Sequence, residues 1–212
     1  MQLLRVRALR LLQPKILGGL TVAGVVLTAL MLSQFKNSNN SMSNMEMAGS
    51  GTQISADPAM KLAFVKLAAA HTDVCQDMGN KPAIDMYMDN LPSDSMLQGS
   101  CCSPMDMKKY VSQLTGLKQY ANIPQIPSDP YYISASSAKQ MLGYYDNIQL
   151  TPDQQAVYDK AASMTADKGW CCCQCWAWYT HAGLAKYLIS QHSFNTQQIV
   201  EITNLEDCCG GA

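Results

Sequence analysis

Two patterns of apolar residues divide the chain. From Ile16 to Ser33, ILGGLTVAGVVLTALMLS, eighteen residues run without a charge. From residue 58 onward the apolar positions instead recur three and four residues apart, the spacing that lines one face of a helix. That second pattern predicts a series of helices. DPAMKLAFVKLAAAHTDVC carries a proline near its start. SPMDMKKYVSQLTGLKQYA opens on a Ser-Pro start signal and places Asp106 in its first turn. SASSAKQMLGYYDNI and TPDQQAVYDKAASM follow, the second opening Thr-Pro-Asp-Gln. Residues 171 to about 191 make the next helix and NTQQIVEITNLED the last. Strand signals are weak, PYYIS being the best of them. Residues 79–103 and 120–133 read as two long loops, a length that usually means function or cross-linking. The expected fold is mainly α: a small, bundle-like helical domain with long cysteine-containing loops, preceded by one N-terminal transmembrane helix.

The first pattern reads as a membrane anchor over residues 16–35. At about 1.5 Å per residue, its apolar core just crosses a bilayer core of about 30 Å. All three arginines, Arg5, Arg7 and Arg10, and also Lys15 lie before it, in a basic segment of residues 1–15. Basic flanks stay in the cytoplasm, which sends the rest of the chain out. A cleaved signal peptide is the rival reading, but no small-x-small site follows Leu32 directly, nor does a lipobox cysteine. Residues 36–57, KNSNNSMSNMEMAGSGTQISAD, are small and polar and read as a flexible tether. Residues 58–212 form the domain. The anchor makes the expected place the cell membrane, single-pass, with a cytoplasmic N-terminus and an extracytoplasmic domain. From residue 36 on, eleven lysines and no arginine face sixteen acids, about five net negative charges. Without arginine forks or a basic surface, nucleic acid is excluded as a partner.

Composition then changes the picture. The chain has nine cysteines and fourteen methionines but only three phenylalanines. The cysteines fall in adjacent groups: Cys75 alone, Cys101 and Cys102, Cys171, Cys172, Cys173 and Cys175, then Cys208 and Cys209. On a helix beginning at Cys171, Cys171, Cys172 and Cys175 share a face and Cys173 points away, at about 100° per residue. Where the first turn is not helical, Cys171, Cys173 and Cys175 converge instead as Cys-x-Cys-x-Cys. Either geometry brings at least three sulfurs together. Cys172 and Cys175 also form a Cys-x-x-Cys at a helix start, where the dipole lowers a thiol pKa. A metal site shared with the distant pairs is expected because the Asp207-Cys-Cys-Gly-Gly tail has glycines that let the backbone fold onto a site.

Other donors are fewer. His71 and Cys75 are four apart on a predicted helix, a ligand pair or, equally, a solvent-facing histidine and a disulfide cysteine. His181 lies about 120° round its helix from Cys175, against a simple Cys-His catalytic pair, and His192 follows the helix as a surface residue. Met105 and Met107 stand close to Cys101 and Cys102. With Met86/Met88 and the tether's Met45/Met47 they form Met-x-Met pairs. Met105, Met107, Met86 and Met88 read equally as thioether ligands or as core filler where phenylalanine is scarce, whereas the tether's methionines cannot be core filler. The three tryptophans of GWCCCQCWAW read first as core, and in consequence as a wall that keeps water from the thiols. The segment CWAWYTHAGLAKYLI is apolar almost all round, which places its helix centrally. The chain has no Ser-His-Asp order, phosphate loop, HExxH or dinucleotide fingerprint, and the spacing of Asp77, Asp85, Asp89 and Asp94 matches no calcium loop.

Cys171, Cys173 and Cys175 with the helix after them resemble the exported proteins named for a PCYCGC motif, over about residues 170–190. Trp170 stands where that motif has Pro, Cys172 where it has Tyr and Gln174 where it has Gly. The resemblance implies a small, membrane-attached protein of a family suspected of handling metal. Taken together, the expectation is a membrane-anchored soft-metal protein. Cu(I) is favoured over Zn(II) or another thiophile by thiolate and thioether donors, with another exported metal-handling protein as a possible partner. The competing readings are a disulfide-stapled structural domain and a thiol-disulfide enzyme using Cys172 and Cys175. An odd cysteine count leaves one unpaired in the first, and the second lacks the strand-helix alternation of a thioredoxin-like fold.

Overall fold

Short side chains and prolines start most of the helices. A computed structural model describes residues 56–70 and 80–211. The predicted anchor, nearly all of the tether, His71 and Cys75 lie outside the described residues. α1, Pro58–Ala68, is capped by Asp57, whose carboxylate accepts from Met60 N at 2.8 Å. α2, Lys81–Asn90, is capped by Asn80 and begins with a proline in its first turn. β1, Met96–Gln98, pairs antiparallel with β2, Tyr132–Ser134, in the register Leu97 opposite Ile133. Between the strands lies α3, Met107–Leu117, continued by a 3-10 turn at Lys118–Tyr120. α4, Ala135–Asn147, starts from a Ser134 cap. α5, Pro152–Met164, and α7, Thr196–Leu205, each begin with a full capping box, Thr151/Gln154 and Asn195/Gln198. α6, Trp176–His192, runs between them in sequence.

Three expectations need correction. The stretch 79–103 is not one loop. It contains α2 and β1, because Asn80 and Pro82 start a helix whose Ile84 and Met88, one turn apart, are both fully buried. α3 begins later than expected. Asp106 is its cap, accepting from Lys109 N at 2.7 Å, and so stands before the first turn. The penultimate helix does not start at Cys171. Residues 171–175 are irregular and Cys175 is the cap position.

α6 is the central element, as its apolar circumference predicts. Eleven of its seventeen residues are buried. α4 lies along it, and α5 and α7 pack on it and on each other. The approach of α4 is close at Gly183, where an added Cβ would sit 1.9 Å from the Met141 carbonyl oxygen. α2 joins through Lys81, which bonds Asp85 at 2.6 Å and Asp146 at 2.9 Å. Among the described residues no helix is long and apolar enough to cross a membrane.

Candidate metal centre

The N-terminal end of α6 has no side-chain cap. In place of one stands the loop 169–175, held at its base. The buried Thr165 hydroxyl accepts from Gly169 N at 3.1 Å and donates to the Gly169 carbonyl at 2.7 Å. Lys168 takes a left-handed conformation, φ 55°, to make the turn. Trp170 is buried and packs on Tyr158 with ring centroids 4.5 Å apart. Its carbonyl lies 2.9 Å from Nδ1 of the buried His181. A tight turn with Cys175 N bonded to the Cys173 carbonyl at 2.9 Å then folds the alternate sulfurs inward. Cys171, Cys173 and Cys175 thereby form a triad, all their sulfurs within 4.8 Å of one another. This is the Cys-x-Cys-x-Cys convergence expected for a non-helical first turn.

The C-terminal tail closes over the loop. Cys101 N donates to the Cys208 carbonyl and Ser103 N to the Cys209 carbonyl, both at 3.0 Å, and Gly211 N donates to Pro104 O at 2.9 Å. Gly210 has φ 94°, and a Cβ there would lie 2.1 Å from the Ser103 carbonyl oxygen, so only glycine fits. Two residues of α3 clamp the tail. Gln113 donates to the Asp207 carbonyl at 2.7 Å, and Lys109 pairs with the Asp207 carboxylate at 2.7 Å while also donating to the Gly210 carbonyl. Lys109 and backbone donation from Cys209 hold Asp207 below the ordinary carboxylate range against the opposing effect of burial.

The three cysteine groups meet as a result. The sulfurs of Cys101 and Cys208 are 3.2 Å apart. Cys102 reaches Cys172 at 3.2 Å and Cys173 at 4.0 Å. Cys209 reaches Cys172 at 3.0 Å and Cys171 at 3.1 Å. Cys102, Cys172 and Cys209 make a second triad within 4.8 Å. None of these approaches is a disulfide, whose sulfurs stand about 2.05 Å apart. Cys175, Cys208, Cys171 and Cys209 are buried, Cys173 is half-buried, and Cys102 and Cys172 open to solvent. These groups can hold a metal ion.

The thiol acidities run opposite to the helix-dipole expectation. Burial and the bond to Cys172 push Cys102 up, and burial and the bond to Cys209 push Cys172 up. Cys171 is raised by its bonds to Cys175 and Cys209 and by burial, and Cys173 is pushed up to about 12 by burial and the neighbouring Cys175. Crowded thiols in a poorly hydrated place resist ionising one after another. A bound cation removes that resistance, so metal would replace protons here.

Of the other predicted donors, Met105 and Met107 pack half-buried against the core, and Met88 is core while Met86 is exposed. Asp167 and Glu206 went unforeseen, and His181 was weighed only against Cys175. Asp167 forms a triad with Cys171 and Cys209, and its carboxyl is raised by burial and by Asp207. Glu206, fully buried, has neither carboxylate oxygen hydrogen-bonded and is held well above its ordinary pKa by burial. His181, also buried, has Nε2 without a partner. Glu206 and His181 line the same small cavity of about 10 Å³ between α6 and α7. In the sequence none of the three stands out, since His181 follows Thr180, Glu206 precedes Asp207 and Asp167 precedes Lys168. The comparisons with family models, with curated proteins and with solved structures give no match for this chain.

Proposed function

We propose that the chain is a membrane-anchored, extracytoplasmic protein that binds a soft metal ion, Cu(I) first among them, through its cysteine cluster. One observation carries the reading: three cysteine groups separated by about seventy and thirty-five residues meet within sulfur-contact distance at the uncapped end of the central helix. Thiolate donors favour Cu(I), and two or three of them complete its linear or trigonal coordination. Zn(II) needs four ligands, and the crowding of sulfurs also allows that. The PCYCGC-like spacing and the apolar N-terminal segment point the same way. Another exported metal-handling protein is the natural source or recipient of the ion.

The disulfide-stapled reading rests on a specific feature, the close approach of Cys101 to Cys208 beside the backbone bond that ties their two segments together. A thiol-disulfide enzyme has less in its favour, since the described sheet is a two-stranded antiparallel pair with no parallel βαβ unit.

The test is a Cys171→Ser, Cys173→Ser, Cys175→Ser triple variant of the full chain, reduced and titrated with Cu(I) and Zn(II) against competing chelators. The wild type is expected to bind Cu(I) more tightly than Zn(II). The variant is expected to lose Cu(I) while keeping its helical circular dichroism. Full retention of Cu(I) would move the site elsewhere, and unfolding of the metal-free variant under non-reducing conditions, where metal-free wild type stays folded, would favour disulfide stapling. Counting thiols in anaerobically purified protein, together with its metal content, separates the same readings.

A further inference from the structure

The arrangement of sulfurs offers more than one ion's worth of ligands. An inner triad, Cys171, Cys173 and Cys175, and an outer triad, Cys102, Cys172 and Cys209, each keep their sulfurs within 4.8 Å of one another. Each has the three donors that trigonal Cu(I) takes. The two are not separate. Cys171 of the inner triad is 3.1 Å from Cys209 of the outer one, and Cys173 is 4.0 Å from Cys102. Sulfurs of different triads thus stand nearly as close as sulfurs of the same triad. We infer that the protein holds a bridged, polynuclear Cu(I)-thiolate cluster, with at least one Cu(I) in each triad and thiolates such as Cys171 and Cys209 shared between them. This rests on the soft-metal reading above and says how that site is built.

Charge balance supports bridging. Three thiolates on a single Cu(I) leave two negative charges. Two isolated triads would leave four, in a place where the nearby cation, Lys109, is already paired with Asp207. A thiolate that bridges two Cu(I) ions serves both with one negative charge, so fewer of the thiols need ionise, and each further Cu(I) removes one more negative charge.

The two triads also differ in access. Cys171 and Cys175 are buried, as are the neighbouring Trp170 and Trp176, whereas Cys102 and Cys172 are exposed. Copper leaves a thiolate site by exchange with an incoming thiolate or thioether, which meets the exposed Cys102 and Cys172 of the outer triad before the inner triad, whose most open sulfur is the half-buried Cys173. The outer copper is therefore the exchangeable one and the inner copper the retained one.

The experiment uses the full chain in detergent, reduced and anaerobic, loaded with Cu(I) and freed of loose metal by a chelator of moderate strength. Copper per chain is measured by elemental analysis, and copper-copper scattering by X-ray absorption. Two or more Cu(I) per chain with a copper-copper distance are expected. In a Cys102→Ser, Cys172→Ser variant, whose changes lie at the exposed rim, the content should fall to one per chain and the copper-copper feature should vanish. In the wild type, a strong chelator should remove about half the copper quickly and the rest slowly. One Cu(I) per chain without copper-copper scattering would overturn the cluster and leave the soft-metal reading standing. No bound Cu(I) would overturn both. An unchanged stoichiometry in the rim variant would overturn the assignment of the outer triad.

Discussion

At the scale of the residue, Glu206 shows what burial does to a single group. Its carboxyl is 1% exposed and has no hydrogen bond to either oxygen, so its charged form loses hydration without replacement. The folded-state pKa is accordingly held well above the ordinary value, by burial first and then by Asp129. For an acid raised in this way, the folded state keeps its proton where the unfolded chain releases it. Stability is then full below the unfolded pKa, about 4.3, and falls as pH rises from there through the folded pKa. Glu206→Gln keeps the shape and has no proton to release. The variant's melting temperature, measured on reduced, metal-free full chain, should exceed wild type at pH 8 and approach it or fall below it at pH 4.5. An equal offset at both values would mean that Glu206 is not neutral in the fold.

At the scale of the element, the seam between α4 and α6 decides the sign of a common substitution. Glycine inside a helix costs about 1 kcal/mol relative to alanine, so Gly→Ala ordinarily stabilises. At Gly143 a Cβ meets nothing nearer than Asn147 Nδ2 at 4.0 Å, and Gly143→Ala should stabilise by up to about 1 kcal/mol. At Gly183 it would meet the Met141 carbonyl oxygen at 1.9 Å and Tyr145 N at 2.8 Å. Both are backbone atoms of a packed helix and cannot turn aside. Gly183→Ala should therefore destabilise by about 1–3 kcal/mol, the usual range for overpacking. Chemical denaturation of the two variants beside wild type reads both signs in one experiment. Gly143 and Gly183 look alike in the sequence, each a lone glycine in a helical run, and only the partner helix separates them. The same holds for the cysteine segment. Helical spacing alone puts Cys173 opposite Cys171, whereas the turn closed between Cys175 and Cys173 brings both to one side.

At the scale of the whole molecule, the basic residues before the apolar run and the acidic excess after it set a direction. The N-terminus should lie in the cytoplasm and the cysteine domain outside it. Protease added to intact cells or spheroplasts should remove the mass after residue 36, and protection of that domain would sink the claim. An outside location also sets the chemistry. Thiols in an oxidising compartment persist only when something covers them, and the metal proposed above would supply that cover for Cys102 and Cys172, which the fold leaves exposed.

The sequence by itself determined most of the helices and several of their starts, though not α2 or the starts of α3 and α6. A cap is a local bond: Asp57, Ser134, Thr151 and Asn195 each satisfy the backbone amide three residues on. It also determined that α6 is central, since a helix apolar all round has to be covered, and that the glycine-bearing tail can approach a site. Tertiary structure alone decided that the cysteine groups form two adjoining triads, for that depends on bonds between residues far apart: Cys101 with Cys208, Ser103 with Cys209, and Lys109 and Gln113 with the tail. It also decided the acidity of the thiols. The dipole at a helix start acts along one element and is legible in its sequence, while burial is the joint work of all the elements that enclose the group.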